Sequence, residues 1–132
     1  MVNLLRFRAW HKTWEEMGKV KRIRFDDDAN VTTVLFTGKD FGVNATIDKI
    51  VLMQSTGLKD KKGKEIFEKD ILDYNGRKVI VKWHGSYACF IYEFVDELKN
   101  RTAEWQPLYL SYYKFEIVGN VYENPELLEV TE

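Results

Sequence analysis

A single cysteine, Cys89, occurs in the 132 residues. No disulfide can form within such a chain, and a structural zinc site of the usual four-ligand kind is short of ligands. One cysteine suits a reducing compartment, so a cytoplasmic location is expected. Long apolar runs are missing too. The longest, 50–53 and 88–92, fall far short of the ~20 residues that a membrane helix needs, and no membrane partner is expected. The opening MVNLLRFRAW sets Arg6 and Arg8 where an export signal needs an unbroken apolar centre, so no secretory signal is read. Nor is there an excess of charge of one sign. The net charge of −1 argues against a chain that coats nucleic acid over its whole surface. The charge is spread unevenly, at +5 over residues 1–24, −3 over 25–50, +3 over 51–82 and −6 over 83–132. Such blocks can steer a partner, complement one another between subunits, or serve solubility alone.

What the chain does have is material for a core. It is 45% hydrophobic, with four Trp, seven Tyr and eight Phe. A chain of this length buries roughly 65–70% of its unfolded surface, and one domain spanning residues 1–132 is expected. Period-two alternation predicts strands over 5–10 and 20–25, joined as a hairpin through 11–18. In the second strand Val20, Arg22 and Arg24 are expected on one side and Lys21, Ile23 and Phe25 on the other. The acidic run from Asp26 to Asp28, with Ala29 and Asn30, reads as the next turn, because Asp and Asn bond their own backbone and tolerate left-handed geometry. A strand over 31–37 follows, rich in β-branched and aromatic residues.

The sharpest local signal is Asn75-Gly76, the pair a type I′ hairpin turn requires. A two-residue loop there sets Tyr74 opposite Arg77, Asp73 opposite Lys78, Leu72 opposite Val79 and Ile71 opposite Ile80. One face of that hairpin is expected to carry Leu72, Val79, Val81 and Trp83. Residues 87–94 read as a central strand because both of their sides are largely apolar, 98–106 as a loop, and 115–122 as the last strand. Asn124-Pro125-Glu126 opens a short C-terminal helix, with Asn as N-cap and Pro at the first helical position. Short connections and little helix imply a mostly β fold: a β-rich α+β domain, small and barrel-like or a complex β fold, with a short C-terminal helix.

Three stretches, FRAW at 7–10, IVLMQSTGLKDKKGKEIFEKDIL at 50–72 and FEIVGNVYENPELL at 115–128, resemble the YopX family, proteins of bacteriophages and of prophage regions in bacterial chromosomes. The resemblance covers nearly the whole chain. It implies an uncharacterised, phage-borne protein of complex β fold, assembled as a homo-oligomer in a bacterial host cell, with no established activity and no catalytic or ligand residues to carry over. One position departs from the family pattern: Lys69 precedes Asp70 where the family usually has Gly. If that position requires positive φ, Lys incurs a steric penalty there.

The motifs that suggest chemistry fail on chemical grounds. Gly57 and Gly63-Lys64 imitate a phosphate loop, but the spacing is one residue too long and Glu65 fills the hydroxyl position. Asp26, Asp28 and Asn30 imitate the start of a calcium loop, yet Val31 stands where Gly must bend the chain and Thr37 where a bidentate Glu belongs. His11, His84 and Cys89 leave a three-ligand site open, but a satisfied polar role is the preferred reading of a single His in a strand, and Gly85-Ser86 is no nucleophile elbow. Cys89 is expected to be buried and inert. The carboxylate pairs Glu15-Glu16, Glu65 with Glu68, and Asp96-Glu97 lie in polar runs, where solvation is the default. No enzyme, cofactor or metal is expected.

Two candidate surfaces remain. Lys61, Lys62 and Lys64, with Arg77, form a basic set that could bind nucleic acid or another partner, as small β-barrels do when cations accompany stacking aromatics. The interleaved Asp60 and Glu65 favour a solvated face instead, so nucleic acid is the second choice. The other surface is aromatic. Trp10, Trp14, Tyr109, Tyr112 and Tyr113 fall in or beside turns, outside the strands read as core, and mark an oligomer interface. The expected function is a non-enzymatic binding or assembly module forming homo-oligomers, with a small nucleic-acid-binding β-barrel as the alternative. A competing reading folds the 99–112 loop back over these rings as a lid.

Overall fold

The computed structural model describes residues 5–98 and 104–129. Eleven strands and a few single 3-10 turns account for the regular structure among them, and the chain divides into two compact units, residues 1–54 and 55–132. The mostly β reading is correct. The strands form two open antiparallel sheets, ordered β4-β3-β2-β1-β5-β6 and β10-β9-β8-β7-β11, and neither closes into a barrel.

The first unit is built from β1 (Phe7–His11), β2 (Glu16–Phe25), β3 (Val31–Thr37), β4 (Gly42–Thr46) and the first half of β5 (Ile50–Lys59). Ala9, Val34, Phe36, Ala45 and Ile50 make its core. The hairpin between β1 and β2 turns over residues 12–15, tighter than the 11–18 expected, with Glu15 at φ 49°. Gly18 is the residue that permits this packing, since a Cβ there would stand 2.5 Å from the Phe36 ring and 2.7 Å from the Thr37 carbonyl. In β2 the alternation breaks. The register against β3 slips between Val20 and Arg22, a bulge that turns both Val20 and Ile23 toward the core and leaves Arg22 and Arg24 on the opposite face. The expectation that Val20, Arg22 and Arg24 share a side is therefore wrong: one extra residue exchanges the faces. Strand β4 was not legible, being five residues of mixed polarity.

The second unit holds the rest of β5 with β6 (Glu65–Phe67), and the sheet of β7 (Asp70–Tyr74), β8 (Arg77–His84), β9 (Cys89–Phe94), β10 (Trp105–Pro107) and β11 (Glu116–Asn120). The β7–β8 hairpin has the expected register at all four pairs, with Asn75 at φ 53° and Gly76 at φ 86°. It is buried on both faces. Leu72, Val79 and Val81 join Ile66, Tyr92, Leu108 and Phe115 in one core, while Ile71 and Ile80 join Val95 in a smaller one. Trp83, expected beside Val81, lies 49% exposed near the strand end and packs edge-on against Phe90. Strand β9 is internal as expected. Residues 105–107, read as loop, instead form the edge strand β10 against β9. The C-terminal helix is a single 3-10 turn, Pro125–Leu128, and its capping residue does something else: Asn124 Oδ1 accepts the Asn120 N–H rather than closing the turn.

Candidate functional site

The Lys-rich segment is a tight turn organised by one acid. Asp60 is 6% exposed. Its Oδ1 accepts the backbone N–H groups of Lys62 (3.0 Å) and Lys64 (2.8 Å), and its Oδ2 accepts that of Ile117 (2.9 Å). The Lys61 N–H donates to the Phe115 carbonyl, so the turn is fastened to the start of β11 at two points. Burial by itself would push the Asp60 carboxyl up. The N–H donors of Ile117, Lys64 and Lys62, with the nearby Lys64 charge, outweigh it and hold the group below the usual carboxylate range. This arrangement explains why the glycines make no phosphate loop: the amides that would face a phosphate are already occupied by Asp60.

Of the four basic candidates, two are neutralised in place. Lys62 Nζ lies 2.8 Å from Glu116 Oε1. Arg77 forks onto both oxygens of Asp96 at 3.0 Å, reaches Glu97 at 3.2 Å, and lies 3.6 Å over the Phe94 ring. The hydrogen bonds from Arg77 hold Asp96 below the usual range. Lys61 and Lys64 are exposed. Arg77 borders a shallow depression of about 390 Å³ with Gly76, Val95 and Leu127, and none of Lys61, Lys62 or Lys64 lines it. The carboxylate pairs behave similarly: Asp96 and Glu97 serve Arg77, while Glu16 accepts the Lys39 N–H.

The aromatic candidates fall into both units. In the first, Trp10 is half-buried in β1 opposite Met17 and Val51. Trp14 stacks on His11 at 3.8 Å and meets Phe41 edge-on at 5.2 Å, while its backbone N–H donates to His11 Nδ1. In the second, Tyr109 and Tyr113 are 58% and 57% exposed, but Tyr112 packs against the core. Within the 99–112 segment read as a lid, Tyr109 itself stays exposed. Residues 99–103 lie outside the described residues, yet Leu108 beyond them is fully buried.

His11 belongs to the first unit and His84 with Cys89 to the second, where the two pair across the β8–β9 turn. Among the described residues no three His, Cys, Asp or Glu side chains are grouped to hold a metal ion. Cys89 is half-buried at the start of β9 and not sealed in the core, because its strand begins only there. Asp26 Oδ1 accepts the N–H groups of Asp28 and Asn30, with Ala29 at φ 64°, which is an ordinary Asp-capped turn.

A basic row on β2, Lys19, Arg22 and Arg24, with Lys21 at the bulge between them, was not singled out by motif. The +5 charge of residues 1–24 was its signal, and the bulge hid its common face.

No curated protein matches the chain. Among solved structures, the crystal structure of protein EF1440 from Enterococcus faecalis is similar, at 31% sequence identity and a TM-score of 0.68 over 97% of this chain and 100% of that one. The family described as YopX protein matches residues 6–129, and with both ends and the middle so covered, the chain belongs to the YopX family.

Proposed function

We propose that this protein is a non-enzymatic binding or assembly module, borne by a bacteriophage or prophage, that works as a homo-oligomer in the cytoplasm of the bacterial host. The observation that carries the reading is the segment around Leu108. That side chain is sealed in the core, while Tyr109, Leu110 and Tyr113 beside it are 58%, 58% and 57% exposed. Large rings presented from a rigidly anchored segment are the side chains that dominate interface energies, and a second copy of the chain is the simplest partner for them. The engaged carboxylates are further support, since Asp96 and Glu97 are committed to Arg77 and Glu16 to the Lys39 N–H. A lone cysteine supports the cytoplasmic part of the reading.

Light scattering across a wide concentration range tests it. A mass above the 15.6 kDa of one chain is expected, falling to that value when Tyr109, Leu110 and Tyr113 are all changed to Ser. A constant 15.6 kDa in the unaltered protein overturns the oligomer reading. The alternative, nucleic-acid binding through Lys61, Lys62, Lys64 and Arg77, is weakened by the ion pairs that Lys62 and Arg77 already make.

A further inference from the structure

We infer that the outer face of β2, β3 and β4 binds the phosphate backbone of single-stranded nucleic acid through Lys19, Arg22 and Arg24. The register sets three rows across these strands: Lys19, Thr37 and Gly42; Arg22, Leu35 and Asn44; Arg24, Thr33 and Thr46. Cross-strand partners share a face. The alternate rows, Val20 with Phe36 and Val43, and Ile23 with Val34 and Ala45, point into the core. The outer rows hold three cations, polar Thr and Asn, one half-buried Leu35 and no carboxylate. Lys21, exposed at the bulge, adds a fourth cation to the strand.

Lack of counterions separates this face from Lys62, Arg77 and Lys82, and its three cations on one face of a sheet separate it from Lys61 and Lys64, which lie in a turn. Lys62, Arg77 and Lys82 each sit on a carboxylate. Among the described residues, Lys19, Lys21, Arg22 and Arg24 make no ion pair. Arg22 instead donates to Asn44 Oδ1 at 3.4 Å, a long contact that keeps its guanidinium over the sheet. Arg22 and Arg24 are two residues apart on one strand, so they repeat at about 6.6 Å along it. A ladder of unneutralised cations beside hydroxyl and amide groups matches a polyphosphate, which Lys, Arg, Thr and Asn side chains commonly hold.

The strand tip selects the form of nucleic acid. A ribbon can read a duplex by entering its major groove. Here the β2–β3 tip carries Asp26, Asp27 and Asp28, all exposed, which the phosphate rails would repel. A flexible single strand can lie across the sheet and avoid that tip. With no ring in the three rows, binding is electrostatic and nearly indifferent to sequence. The same rows offer no exposed apolar side chain to enter a lipid interface, which argues against an anionic membrane.

Fluorescence anisotropy of the full chain with a labelled oligothymidine of about 20 nucleotides tests the inference, with salt varied between about 50 and 200 mM. Binding is expected to weaken with a log–log slope of about −2 to −3, near −0.7 for each of three or four neutralised phosphates. The triple change Lys19→Glu, Arg22→Glu and Arg24→Glu should cost at least about tenfold, and Arg22→Lys with Arg24→Lys should retain most of the affinity. If the triple fails to fold by circular dichroism, Arg22→Gln with Arg24→Gln carries the same expectation of loss. Changing Lys61, Lys62 and Lys64 to Glu should leave binding intact. No binding at the lowest salt, an unaffected β2 variant, or preference for duplex DNA or for phosphatidylserine vesicles overturns it.

Discussion

The carboxylate of Asp60 accepts the backbone N–H of Ile117, 57 residues further along the chain, at 2.9 Å. Through that bond a surface turn and strand β11 are held by one buried side chain. Asp60→Ala would leave three amide donors without their acceptor, which costs about 1–3 kcal/mol for the set and should lower the urea midpoint accordingly. Asp60→Asn keeps the size and removes the charge. Because the folded group titrates below its unfolded value of about 3.9, its contribution is complete above that pH and is lost as pH falls through the folded value. The stability gap between wild type and Asp60→Asn should therefore be widest at neutral pH and close in acid. A gap that widens in acid would show the sign to be wrong.

Lys69 is the departure from the family pattern, and its φ is 70°. The position does need left-handed backbone: its N–H donates to the Val81 carbonyl and its own carbonyl accepts the Val121 N–H, so the chain cannot relax. Left-handed geometry costs an L-residue about 1–2 kcal/mol, offset in part by the extra unfolded-state freedom of glycine. Lys69→Gly should stabilise by up to about 1 kcal/mol, raising the thermal midpoint by a few degrees. Calorimetry with no rise, or a fall, would refute this.

At the β7–β8 turn, Gly76 has φ 86° and open space where a side chain would go, so only the backbone conformation forbids one. Gly76→Val should cost about 1–2 kcal/mol through that conformation alone. Gly76→Asn, which tolerates the left-handed region, should recover much of the loss. Equal losses from Val and Asn would mean that the turn relaxes to another type.

These cases mark what was legible in the sequence. The β7–β8 register could be read because a two-residue Asn-Gly loop leaves the strands no choice of pairing, and the mostly β class because alternation recurs in most segments. The strand β10 was missed because three residues are too short for a period to form, and its support is non-local: the ladder with β9 and the Trp105 ring against His84 and Tyr87. The face of Arg22 and Arg24 was misread because a bulge is a backbone event with no signature in side-chain polarity. The Lys-rich segment drew attention by charge alone, while the acid that organises it, Asp60, finds its third donor at Ile117, far beyond any local window. Trp14 and His11 stack because a four-residue turn returns the chain on itself, a geometry that a polar stretch does not announce.

The segment read as a loop and lid gives the clearest separation of folding from association. Leu108 is 0% exposed among Leu72, Val79, Val81 and Phe115, while Tyr109 and Leu110, its immediate neighbours, are each 58% exposed. Leu108→Ala opens a cavity in a closed core and should cost about 2–5 kcal/mol, visible as a lower urea midpoint with an unchanged slope. Tyr109→Ser and Leu110→Ser remove side chains that face solvent in the single chain, so their effect on monomer stability should stay within about 0.5 kcal/mol. If these rings meet a second copy, the two surface changes should instead make the thermal midpoint lose its dependence on protein concentration, because association stabilises by mass action. A Leu108→Ala protein as stable as wild type would mean that the core around Leu108 is not closed. Surface variants whose midpoint still rises with concentration would place the interface elsewhere.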